Sequence, residues 1–163
     1  MIRNNERSAQ LFELIEKNPG IKFREIMRST GMKNGVLSHY LGKLEKNGNV
    51  QVQRKSRETR FFPLHITDSQ SKIIKALRRE TPRSIMEALV LNEQGLEFNQ
   101  IVNQVSKAPS TVSFYLSQLV DDEIVQLSLS ERKRLYKIKD RYTLDKLIEE
   151  YRPGLLDLSL IHI

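Results

Sequence analysis

The chain of 163 residues contains no cysteine. Disulfides, thiol chemistry and thiolate metal sites are thereby excluded. No apolar run approaches the ~20 residues that a bilayer-spanning helix needs. The opening residues, Met1-Ile2-Arg3-Asn4-Asn5-Glu6-Arg7, lack the apolar stretch of a secretory leader, so a cytoplasmic location is expected. Histidine is scarce: His39, His65 and His162 lie far apart, without the paired spacing of a metal site. No serine sits in a nucleophile elbow. The stretch from Gly35 to Lys43 has the wrong spacing for a phosphate loop, and no strand leads into it. Glu149-Glu150 reads as the solvent face of a helix. The expectation is a chain that is not an enzyme, with no catalytic residue, no metal and no cofactor.

What the chain does have is charge, unevenly spread. Charged residues make up 29% and hydrophobic residues 39%, which fits small domains with much surface for their volume. The length allows one ordinary domain or two small ones. The net charge is +7, a balance that points to nucleic acid or another anionic surface. Residues 1–65 carry thirteen Lys and Arg against six Asp and Glu, whereas residues 66–163 carry fourteen of each sign. The whole excess therefore lies in the first part of the chain.

The sequence also matches itself at a shift of 75 positions. Phe23 then meets Phe98, Ile26 meets Ile101, Ser38 meets Ser113, and Tyr40-Leu41 meets Tyr115-Leu116. Leu44 meets Leu119, Val50-Gln51 meets Val125-Gln126, and Arg57 meets Arg132. Helical periodicity alone aligns leucines; it does not also align the strand and basic turn behind them, so a structural repeat is expected.

Within the first copy, residues 5–17 read as a helix with Ala9, Leu11, Phe12, Leu14 and Ile15 apolar, ended by Asn18-Pro19-Gly20. A short helix at 22–29 follows, with Phe23, Ile26 and Met27 inward, closed by Gly31. Asn34 is a candidate cap for a third helix to Asn47, with the stripe Leu37, Tyr40, Leu41 and Leu44. Residues 50–54 alternate as a strand, 55–59 form a polar turn, and 60–64 return. The second copy repeats the order: a helix capped by Thr81 with Pro82 first, a short helix at 97–106, a third helix at 109–122, and strands at 124–128 and 134–138. Residues 68–79 read as a connecting helix, and 141–151 as a last helix stopped by Arg152-Pro153-Gly154.

Helix, helix-turn-helix and hairpin is the winged-helix plan. The stretch from Gly35 to Gly48 resembles the recognition helix of winged-helix repressors, and so does that from Ser110 to Val120. Together the copies resemble the archaeal tandem winged-helix regulators, relatives of the MarR and ArsR classes, over roughly residues 7–151. The resemblance implies a mainly α fold with small β-hairpin wings (α+β), as two tandem winged helix-turn-helix domains joined by a helix. The expected domains are 1–66, a linker helix at 67–80, 81–140, and a C-terminal helix and tail at 141–163. The second copy departs from the pattern where Asp121-Asp122-Glu123 replaces the small residue and glycine that normally close the recognition helix.

A helix in the major groove presents the face opposite its apolar stripe. Asn34, Gly35, Ser38 and His39 are the expected base-reading or leading-end residues, since Asn, Ser and His exchange hydrogen bonds with base edges. Lys33, Lys43 and Lys46 suit phosphates, as do Lys22, Arg24 and Arg28 on the short helix. Gly42 either allows close packing, allows close approach to DNA, or is merely tolerated. The hairpin tip, Arg54-Lys55-Ser56-Arg57-Glu58-Thr59-Arg60, gathers Arg54, Lys55, Arg57 and Arg60, and suits a minor groove or the phosphates. Secondary candidates are Ser110, Thr111, Ser113, Gln118, Arg132, Lys133 and Arg134; Phe114, at the place of His39, suits a protein contact or a thymine methyl.

The expected partner is double-stranded DNA, bound by a transcriptional regulator of the repressor type acting as a homodimer, with no membrane and no effector that the sequence names. The apolar tail from Leu155 to Ile163 docks on its own domain or on a second subunit. Two other readings stay open: a tandem winged-helix protein-interaction module of a transcription or chromosome-organising assembly, and RNA binding by the same fold.

Overall fold

A computed structural model describes residues 2–55 and 57–155. The chain divides into two units: one takes the chain through Ser71 together with Tyr151–Leu155, and the other takes Lys72–Glu150. The fold is α+β, mostly helical with small antiparallel hairpins, and of winged-helix type.

The first unit runs α1 (Ile2–Lys17), β1 (Ile21–Lys22), α2 (Phe23–Thr30), α3 (Asn34–Lys46), β2 (Val50–Lys55) and β3 (Glu58–Pro63). Leu11 and Ile15, four apart on α1, are fully buried, as the spacing of one helical face requires. Asn18 ends α1 by donating its side-chain N–H to the Leu14 carbonyl at 2.8 Å. At the start of α2 the Lys22 backbone N–H donates to Glu25 Oε1 at 2.9 Å. The end of α3 is a double turn: Gly48 donates to the Glu45 carbonyl and Asn49 to the Leu44 carbonyl. That motif needs a left-handed residue in its middle, and Gly48 has φ +70. The sheet order is β1-β3-β2, with Ile21 opposite Phe61 and Val50 opposite Pro63. Leu37, Tyr40, Leu41 and Leu44 of α3 join Leu11, Ile15, Ile26 and Phe61 in one core.

The second unit holds most of α4 (Asp68–Leu77), then α5 (Glu80–Val90), α6 (Phe98–Val105), α7 (Pro109–Asp121), β4 (Val125–Ser130), β5 (Lys133–Ile138) and the larger part of α8 (Arg141–Leu155). Elements α6, α7, β4 and β5 begin and end 75 positions after α2, α3, β2 and β3. The single bridge Leu96–Tyr136 stands where Ile21 pairs with Phe61. Ile101, Val112, Leu116 and Leu119 are buried, like their counterparts in the first unit.

Several boundaries differ from the sequence reading. Lys33, not Asn34, caps α3, and Asn34 is its first helical residue. Arg79, not Thr81, caps α5, so Thr81 and Pro82 sit inside its first turn, where proline costs no hydrogen bond. Both hairpins are longer than expected, with strands reaching Lys55 and Ser130 before the chain turns. Arg152-Pro153-Gly154 does not stop α8, which continues to Leu155. Tyr151 and Leu155 are buried, and a Cβ on Gly154 would collide with the Lys17 carbonyl oxygen. Packing of that last turn against the end of α1 thus overrides the local break. Of the apolar tail, Leu155 is described and residues 156–163 lie outside the described residues, as does Ser56 in the first hairpin.

Candidate nucleic-acid interface

Burial of Leu37, Tyr40, Leu41 and Leu44 turns one side of α3 inward. Lys33, Asn34, Gly35, Ser38, His39, Lys43 and Lys46 are all exposed. At 100° per residue, Gly35, His39, Gly42 and Lys46 mark the middle of the outward face. Ser38 Oγ donates to Asn34 Oδ1 at 3.2 Å, which pre-orients the amide. The His39 ring meets Tyr40 edge-on, with centroids 5.3 Å apart. A Cβ on Gly35 or Gly42 would meet nothing within 4 Å. Close packing inside the chain is therefore not the reason for Gly42.

The cations fall into two sets. Arg24 and Arg28 on α2, Lys33, Lys43 and Lys46 on α3, and Lys55 and Arg57 on the hairpin are exposed, with no ion-pair partner among the described residues. The others are engaged. Arg54 forks onto Glu45 of α3 with bonds of 2.8 and 2.6 Å. The Arg54 hydrogen bonds hold the Glu45 carboxyl below the usual carboxylate range. Lys22 Nζ lies 3.4 Å from Glu58.

Arg60 corrects the sequence reading most sharply, because it is 3% exposed. Its Nη1 donates to the Gly20 carbonyl at 2.8 Å, and Nε and Nη2 donate to Glu58 at 3.0 and 3.1 Å. A guanidinium so enclosed holds the hairpin to the turn before β1 and is not available to a phosphate. Burial pushes the Glu58 carboxyl up, but the hydrogen bonds and charges of Arg60 and Lys22 outweigh it and hold it below its ordinary range.

Sequence reasoning missed three residues here. Glu45 and Glu58 tie the hairpin to α3 and to the start of α2. Val36, 36% exposed beside Gly35, offers an apolar contact at the leading end of α3.

In the second unit, Ser110, Ser113, Gln118, Arg132, Lys133 and Arg134 are exposed and Thr111 is half-buried. Lys133 lies 3.7 Å from Glu97. Phe114 is 57% exposed. Among the described residues there is no group of acidic or histidine side chains placed to hold a metal, and no helix long and apolar enough to cross a membrane.

Helix-turn-helix geometry followed by a hairpin is what a DNA-binding winged helix requires. Residues 5–51 match the family model described as winged helix-turn-helix DNA-binding. The matched stretch covers most of α1, all of β1, α2 and α3, and stops as β2 begins. It supports DNA binding by this segment; the hairpin tip and the second unit lie outside it. No curated protein matches the chain.

Proposed function

We propose that this chain is a sequence-specific regulator of transcription, acting as a repressor on double-stranded DNA. The reading divides it into winged-helix domains at 1–66 and 81–140, a linker at 67–80 and a closing segment at 141–163, in the manner of the archaeal tandem regulators. The observation that carries it is the outward face of α3 beside a hairpin whose tip cations, Lys55 and Arg57, have no ion-pair partner among the described residues. Asn34, Ser38 and His39 read base edges in the major groove, and Val36 meets a thymine methyl. Gly35 and Gly42 leave that face low. Arg24, Arg28, Lys33, Lys43, Lys46, Lys55 and Arg57 take phosphates, with the hairpin on the backbone or the minor groove. Arg54 and Lys22 position the hairpin, and Arg60 drops out of the interface. The protein works as a homodimer, which suits two-fold operators.

The test is titration of duplex DNA over a range of salt. With ~5 phosphates neutralised per subunit, the slope of log K against log salt for a dimer is near −9. Structured RNA run in parallel separates the RNA-binding reading. Failure to bind any nucleic acid at low salt overturns the proposal.

A further inference from the structure

The face of α7 that corresponds to the reading face of α3 carries no Lys or Arg. Seventy-five positions on, Lys43 becomes Gln118, Lys46 becomes Asp121, Arg54 becomes Leu129 and His39 becomes Phe114. Phe114 and Leu129 are 57% and 78% exposed. A ring as exposed as Phe114 on the outward face of α7 suits a protein contact, since aromatic side chains are enriched at interfaces. Next to Phe114, whose chain neighbour Ser113 lines it, runs a groove of about 230 Å³ between α7 and the hairpin, with Leu116, Val120, Leu127 and Tyr136 also among its lining residues. Asp121 lies on its α7 wall and Arg134 on its hairpin wall.

We infer that this surface is where two copies of the chain associate, each seating Phe114 in the groove of the other. The inference deepens the homodimer reading above, and rests on it, by naming the surface. Two features select a second copy over any other occupant. The surface supplies both the ring and the groove that takes it, which is what an isologous two-fold contact needs. Its groove also carries opposite charges on opposite walls, so a two-fold sets Asp121 of one copy against Arg134 of the other, twice. An aromatic centre with a charged rim is the usual anatomy of such contacts. Along α7 a polyanion is disfavoured, because the helix carries no Lys or Arg and Asp121, Asp122 and Glu123 stand at its end.

Sedimentation of the full chain without DNA, over a range of concentrations, tests this. The wild type is expected to be a dimer. Phe114→Ser and Asp121→Arg each weaken dimerisation at least tenfold, the scale of an interface anchor. The double variant Asp121→Arg/Arg134→Asp restores it, because the reciprocal pairs re-form with reversed sign. Phe114 is exposed, so its serine variant still folds, with the helix content of the wild type; should it unfold, the charge reversal still decides. A monomeric wild type overturns both the dimer reading and this surface. A dimer indifferent to Phe114→Ser and to the charge reversals overturns the surface alone. DNA affinity, measured separately on one half-site, is unchanged by Phe114→Ser; a loss there from a monomeric protein assigns the face to DNA instead.

Discussion

The first unit and the second are one plan with two surfaces. Helices α3 and α7, and the hairpins that follow them, keep the same lengths and the same 75-residue offset, yet they differ in nearly every solvent-facing charge. The ion pairs state the lesson most clearly. Lys22–Glu58 in the first unit becomes Glu97–Lys133 in the second, at corresponding positions and with the signs exchanged. The fold asks for attraction at that place and is indifferent to its direction. What both units retain is the inward stripe and the left-handed turns. The turn that closes α3 and the turn that closes α7 are both left-handed, but the residue is Gly48 in one and Glu123 in the other. The first unit uses the residue that adopts this conformation freely, and the second accepts a strained one.

The largest expected effect separates the two hairpins. Replacing Lys55 and Arg57 with alanine should remove two phosphate contacts per subunit, flattening the dimer's salt slope by about 3.6 and weakening binding to all sequences at moderate salt. Alanine at Arg132 and Lys133 should change the slope far less. Equal losses from both hairpins would abolish the asymmetry. Changing Asn34 or His39 should instead alter which duplex is preferred, read by competition between sequences.

Next comes the buried guanidinium of Arg60, which has no counterpart at the same place in the second unit, since Leu135 stands there. Glu58→Ala leaves Arg60 with one partner and should cost about 2 kcal/mol in urea denaturation, the scale of an unsatisfied buried polar group. The same pair gives a pH signature. A carboxyl held low in the folded chain adds stability above its ordinary value of ~4.3, and that stability is lost as pH falls through the folded value. The wild-type melting temperature should therefore drop more steeply in acid than that of Glu58→Ala. Parallel curves would remove Glu58 from this role.

Smaller still is the turn. Glu123→Gly should stabilise the second unit by about 1 kcal/mol, and Gly48→Glu should cost the first a similar amount. Gly42→Ala should also stabilise α3 by ~1 kcal/mol, because its Cβ points into open space. If DNA affinity falls in the same variant, the glycine serves close approach; if affinity is unchanged, it is merely tolerated. Smallest of all, exchanging Glu97 and Lys133 should shift stability by less than about 0.5 kcal/mol. The same exchange of Lys22 and Glu58 should fail, because it sets a lysine against Arg60.

Most of this architecture was legible in the sequence, for a physical reason. Elements whose faces must be buried announce themselves by spacing, as Leu37, Tyr40, Leu41 and Leu44 do. The exposed side of α3 followed by subtraction. Features that depend on distant partners were not legible. Strand β1 has two residues, too few for any alternation, and exists because Phe61 and Arg60 pair with it. The burial of Arg60 had one weak signal in the sequence: Phe62, two residues on and so on the same face of β3, is a large apolar side chain, though Phe61 on the other face is buried as well. The fork of Arg54 onto Glu45 joins residues of two elements, and nothing local predicts it. Helix α8 ran past Pro153 because its final turn is held by the end of α1.

That last turn has a bearing on how the protein is made. The first unit leaves off at Ser71 and is completed only by Tyr151–Leu155, where Gly154 lies against Lys17 and the Tyr151 hydroxyl meets His65 at 2.7 Å. A ribosome delivers those residues after every strand and helix between them. The unit begun first thus waits for its final turn until nearly all of the other has emerged, and a fragment cut after its hairpin is missing part of itself.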